Sequence, residues 1–294
     1  MVRTRVAESA QPGKTEPAKK DALPTTEVGE PPEPPLWARA ADAVLAIPLG
    51  FLAEIGVMAR LIYETVRWMI RPPYRFRQLI EACEFIGVQS IFLVGLTGVF
   101  VGAVFGLQLV TALRQFGAEG QSGAVVSIAL AREIGPVFAA LMVSARAGSA
   151  IATEIGSMRV SNQIDALTTM SVSPVQYLIV PRVLAGLTMV PALALIFDVI
   201  GFGGAYVVAV HLFDLDGGVF RERAFWLVDM WDVQQGLIKS ALFGVAVTLI
   251  ACRQGYYASG GAAGVGLATN RAVVQSSVAV LILDYIATAI MIEE

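Results

Sequence analysis

The sequence predicts an all-α integral membrane protein, with an N-terminal interfacial amphipathic helix ahead of five transmembrane helices. Three observations predict it. First, 56% of the residues are hydrophobic and only 15% charged, against about 25% charged in a typical soluble domain, so much of the surface faces something other than water. Second, Phe85–Leu113 carries no charge, and at about 1.5 Å per residue it exceeds the roughly 30 Å hydrocarbon core. Third, four further apolar runs follow, separated by polar or Gly-rich connectors.

The elements follow in chain order. Residues 1–35 hold seven prolines, mixed Lys and Glu, and no apolar signal-peptide core. Such a segment cannot bury enough apolar surface to offset its ordering entropy and reads as a disordered tail. Residues 36–77 read as an interfacial helix with a bend at Pro48, followed by a basic linker. Arg60, Glu64, Arg67 and Arg71 form one polar stripe, with Met58, Ile62, Val66 and Met69 on the other side; a basic helix of that kind lies in the interface plane. Spans are expected at about 84–113, 124–152, 176–210, 234–253 and 271–292. Gly98, Gly102 and Gly106 share one face of the first and allow another helix to approach closely. The stretch "RQGYYASGGAAGVGLATNR" before the fifth reads as a flexible Gly-rich connection.

Orientation follows from Arg67, Arg71, Arg75 and Arg77, which precede the first span and put that side in the cytoplasm. Five spans then leave 154–170 and the 253–271 loop cytoplasmic, with the acidic connector His211–Asp232 outside. Arg221 and Arg223 run weakly against this assignment.

Several function classes drop out. A net charge of −3 offers no basic face for nucleic acid. Cys83 and Cys252 make neither a disulfide framework nor a metal pattern. There is one histidine, no HExxH, no G-x-S-x-G elbow and no Walker A lysine after "GGAAGVG". Energy for any transport must come from an ion gradient or a separate ATPase.

Ionisable residues inside spans are costly, about 2.5–3.5 kcal/mol each at a helix centre, and mark function. They are Arg132 and Glu133 in the second span, Asp198 in the third, Lys239 in the fourth and Asp284 in the fifth. Pro136 removes the hydrogen bond to the Arg132 carbonyl and kinks the helix beside this charge pair, which points to a cavity. Arg132 could bind a phosphate headgroup, and Glu133 could pair with Lys239. Lys239 could equally snorkel. Adjacent residues diverge by about 100° on a helix, so Arg132 and Glu133 serve different contacts.

Between the second and third spans, "EIGSMRVSNQIDALTTM" (154–170) reads as one amphipathic helix. Ile155, Met158, Ile164, Leu167 and Met170 are its anchors, with Glu154, Arg159 and Asp165 between them. Few positive charges argue against lipid headgroups and for a groove on a protein partner.

"VGLTGVFVGAVFGLQ", "LAREIGPVFAALMVSARAGSAIATEIGSMRVSNQIDAL" and "QSSVAVLILDYIATAIM" resemble the MlaE/YrbE permeases, membrane subunits of ABC transporters that move lipids with MCE proteins. The likeness covers residues 36–294. It implies a homodimer in the bacterial inner membrane, N-terminus cytoplasmic, whose coupling helices at 154–170 sit on a cytoplasmic ATPase. ATP and Mg would be held by that ATPase, with no cofactor on this chain. It implies an MCE-protein ring on the periplasmic side, with a STAS-domain protein as a further candidate partner. Phospholipid would pass between the inner membrane and the MCE carrier, maintaining outer-membrane lipid asymmetry. Carried over by position, the lipid-binding residues are Phe105, Leu113, Phe116, Arg132 and Glu133, and the ATPase-coupling residues are Glu154, Met158, Arg159, Ile164, Asp165 and Leu167. The competing readings are a proton-coupled secondary transporter of a hydrophobic substrate, relaying through Glu133, Asp198 and Asp284, and a non-transporting scaffold. A docking helix favours the ATP-driven reading.

Overall fold

The structure, a computed structural model, describes residues 56–72 and 75–292. The tail expected over 1–35 and the start of the interfacial helix, with Pro48, lie outside the described residues. Helix α1 covers 56–69 and α2 Phe76–Ile86; a short turn leads into α3, Ile91–Arg114. Then come α4 (Glu119–Val160), α5 (Gln163–Thr169), α6 (Val175–His211), α7 (Gly217–Leu227), α8 (Met230–Tyr256) and α9 (Gly261–Ile292). No strand occurs among the described residues. Among the described residues, five helices are long and apolar enough to cross a membrane: α2–α3 taken together, α4, α6, α8 and α9.

The glycine stripe on α3 finds its partner in α6. A Cβ on Gly102 would run into the Gly201 carbonyl, while Gly98 and Gly106 lie against Phe197 and Ala205. Only a side-chain-free face lets the two backbones meet this closely. Helix α8 is the most enclosed of the five and packs on α4, α6 and α9; α9 is the most peripheral, with Val274, Leu281, Tyr285 and Ile290 exposed.

Helix α4 is not uniform. It contains two π-helical turns, Leu130–Ile134 and Ser144–Gly148, a geometry often tied to functional sites. Arg146, on the second, donates to the Phe85 carbonyl at 2.6 Å and to Ser90 Oγ at 3.2 Å. It thereby satisfies the end of α2, where the chain turns into α3.

Two expectations change. The helix predicted over 154–170 is two pieces: Glu154–Val160 continues α4, and Asn162, in the left-handed region at φ 59°, stops it before α5 begins. Asn tolerates that conformation where most residues do not. The last helix begins at Gly261, well before the expected 271. Its first turns hold Ala262, Ala263, Val265 and Leu267, and Val265 packs over Gly156 of α4. Tertiary packing outweighs the glycine penalty there.

Candidate functional site: an ion network at a π turn

Pro136 has no N–H for the Arg132 carbonyl. The helix answers with the π turn at Leu130–Ile134, and the freed carbonyl accepts from Lys239 Nζ of α8 at 3.2 Å. Helix α8 comes near enough because Gly236 faces the Ala131 carbonyl, where a Cβ would collide. Lys239 is 1% exposed, so it does not snorkel. Its ammonium also donates to Glu133 Oε1 at 2.8 Å and Thr288 Oγ at 2.7 Å, with Asp284 Oδ1 at 3.4 Å. An ammonium has three donors, and the three nearest acceptors come from α4 and α9. Thr288 in turn donates to the Asp284 carbonyl at 2.8 Å. Lys239 lies nine residues from the start of α8, roughly 13 Å along the helix.

Arg132 points elsewhere. Its Nε and Nη2 both reach Oδ1 of Asp232, a residue almost wholly buried in the first turn of α8. The other oxygen, Oδ2, accepts from the Asp229 N–H at 2.8 Å, closing the helix N-terminus. Three carboxylates therefore face two cations, in two linked groups. Arg132, Glu133, Trp231, Gln235, Lys239 and Thr288 line a cavity of about 340 Å³.

An apolar groove of about 430 Å³ opens on the other side of the same turn, walled by Phe100, Val104, Phe105, Ile134 and Phe138 with Gln108 at its polar edge. Of the predicted lipid-contacting residues, Phe105 is thus in the groove and Arg132 and Glu133 in the ionic cavity. Leu113 is half-buried two turns along α3, and Phe116 is 81% exposed beyond its end. Within one chain these five are not gathered into one pocket. Asp198 is separate again. It faces Gly135, where a Cβ would meet its carboxylate, and its Oδ1 is buried with no hydrogen-bond partner. It lines a third, apolar cavity with Leu130, Leu195, Phe202 and Phe225.

At the opposite end, Arg159 pairs with Asp165 at 2.7 Å and sits over the Tyr256 ring, while Glu154 pairs with Arg182 at 2.8 Å. Ile164 is 1% exposed and Leu167 half-buried. Ile164 and the covered side of Leu167 fasten α5 to its own chain. Gln163, Asp165, Ala166, Thr169 and Met170 face outward instead. Met158 is half-buried in a cavity with Phe85, Tyr177 and Arg182.

The model of the family "Permease MlaE" matches residues 79–290. The chain belongs to the MlaE permease family. It is 41% identical over 248 residues to a probable ABC transporter permease protein of Rickettsia felis, covering 84% of this chain and 96% of that one. It is 40% identical over 220 residues to the intermembrane phospholipid transport system permease protein MlaE of Haemophilus influenzae, covering 74% and 83%. The chloroplastic protein TRIGALACTOSYLDIACYLGLYCEROL 1 of Arabidopsis thaliana is 32% identical over 230 residues, 78% of this chain and 63% of that one.

In this MlaE-family chain, sequence reasoning found Arg132, Glu133, Lys239 and Asp284 but missed two members of the network. Asp232 read as a loop acid; its place three residues after Asp229 is the spacing of a helix-start pair. Thr288 stands four residues after Asp284, one turn along the same face.

Proposed function

We propose that this chain is the membrane subunit of an ATP-driven ABC transporter that moves phospholipid between the inner membrane and an MCE carrier. The observation that carries this reading is the two-sided environment of the π turn at Leu130–Ile134: an apolar groove at Phe105 and Ile134, and an ionic cavity at Arg132 and Glu133. A phospholipid has both halves. The acyl chains suit the phenylalanine wall. Arg132 already spends much of its charge on Asp232, so it holds a phosphate only as part of the network. The name of the Haemophilus influenzae relative, an intermembrane phospholipid transport system permease protein, supports the same cargo.

The groove is open on one side, and a second copy of the chain closes it in the homodimer we propose. Helix α5 then meets the cytoplasmic ATPase through Gln163, Asp165, Thr169 and Met170. ATP and Mg belong to that ATPase, the MCE ring stands at the α7 side, and a STAS-domain protein is a further candidate at the ATPase. The interfacial role of α1 is supported by its exposed Ile62, Tyr63 and Val66 opposite buried Leu61 and Thr65. A proton-coupled carrier would also use half-buried carboxylates such as Glu133 and Asp284, but it has no need of α5.

The test is reconstitution with the co-purifying ATPase in liposomes holding fluorescent phospholipid. Lipid transfer should require ATP and fall at least tenfold in Glu133→Gln, with the complex still assembling. Transfer that persists without ATP under a proton gradient overturns the proposal.

A further inference from the structure

A separate cavity lies at the α5 end, between α1, α2 and the first turns of α6. Its volume is about 280 Å³, just below the roughly 300 Å³ at which whole small-molecule sites begin. Its walls are apolar: Trp68 of α1, Leu79 of α2, Val180 and Leu184 of α6. Its mouth is polar, with Arg71 and Arg75 on the rim beside Gln176. Gln176 donates to the Arg71 carbonyl at 3.3 Å, and the Arg75 guanidinium lies 4.7 Å over the Tyr177 ring. The α6 backbone is π-helical at Val175–Ile179, level with that rim.

The polarity runs along α6 in the sense a lipid needs. From Gln176 at the mouth, one residue into the candidate span Val175–His211, to Leu184 at the bottom is eight residues, about 12 Å of helix further in. Among the described residues, no Asp or Glu lines the cavity and no carboxylate lies within ion-pair distance of Arg71 or Arg75. Nearby Glu64 and Glu81 are taken by Arg60 and Arg77.

We infer that this cavity is a binding site for one anionic phospholipid of the leaflet on the α5 side. One acyl chain enters between Trp68, Leu79 and Leu184, and the phosphate is held by Arg71 and Arg75. A guanidinium grips phosphate in two-point fashion, and basic pockets beside membrane helices select anionic headgroups. A zwitterionic lipid would bring an ammonium that finds no carboxylate here. An acidic peptide would have no chain to place at Leu184. The bound lipid ties α1 and α2 to the start of α6, a role apart from cargo at the Phe105 groove.

The test uses the full chain in phosphatidylcholine nanodiscs titrated with phosphatidylglycerol, with bound lipid counted by native mass spectrometry. Wild type should retain one phosphatidylglycerol per chain in preference to phosphatidylcholine. Arg71→Gln/Arg75→Gln should weaken that retention roughly 30-fold, about 2 kcal/mol, and Arg71→Lys/Arg75→Lys should keep most of it. Leu184→Trp, which fills the chain slot, should abolish it with both arginines present. Equal retention by wild type and the Gln variant overturns the inference. So does loss in the Gln variant with Leu184→Trp unaffected, which marks surface charge alone. Displacement by inorganic phosphate overturns the choice of a lipid. None of these readouts depends on transport, so a failed ATP-driven transfer assay leaves the inference standing or falling by itself.

Discussion

Removing Lys239 tests the network most directly. At an effective dielectric of about 20, an ammonium–carboxylate contact is worth about 6 kcal/mol at the 2.8 Å of Glu133 and about 5 kcal/mol at the 3.4 Å of Asp284. Desolvating the ammonium takes back several kcal/mol, and the partly exposed Glu133 carboxylate is screened by solvent. Lys239→Met leaves both carboxylates and the Arg132 carbonyl without their common donor, and the net loss should be about 3–5 kcal/mol. For a chain of this size that is a fall in Tm of roughly 10 °C, read by tryptophan fluorescence of purified protein in nanodiscs. The triple variant Lys239→Met/Glu133→Gln/Asp284→Asn carries no stranded charge and should recover most of the loss. The reasoning is refuted if Lys239→Met unfolds within about 2 °C of wild type, or if the triple variant is no more stable than the single one.

Further predictions concern other parts of the fold. Gly135→Ala places a methyl group on the Asp198 carboxylate and should cost about 1–3 kcal/mol. Gly135→Ala/Asp198→Ala should restore the wild-type melting temperature, which separates a steric cause from a general effect. Ile164→Glu puts a charge into the chain's own core and should lower the yield of folded protein. Met170→Glu and Thr169→Arg should leave folding intact and release the ATPase in a pull-down; the converse pattern would return Ile164 to the outer surface. Asp216 caps α7, and the amide hydrogens of Val219 and then Gly218 hold its carboxyl below the usual carboxylate range. A group whose folded pKa is depressed adds stability above its unfolded value of about 3.9 and loses it as pH falls through the folded value. Protection of the Gly218 and Val219 amides, taken relative to their intrinsic exchange rate at each pH, should therefore fall only below about pH 4 in the wild type and be lost at every pH in Asp216→Ala.

What the residues determine by themselves is what can be read along one helix at a time. The five long apolar runs, the glycine face of α3, and the charge pair beside Pro136 are all such features, because hydropathy, periodicity and a missing N–H are local properties. Proline chemistry even located the freed Arg132 carbonyl. Which group would fill it depended on the distance between α4 and α8, set by Gly236 against Ala131. The same distance chose Asp232 for Arg132 and left Lys239 to Glu133, Asp284 and Thr288. Amphipathicity likewise showed that 154–170 has an apolar side, but periodicity does not say whether that side meets its own chain or another. Burial of Ile164 and the turn at Asn162 settle it for α5. An apolar face is a property of one helix; its partner is fixed only when all the helices compete to cover one another.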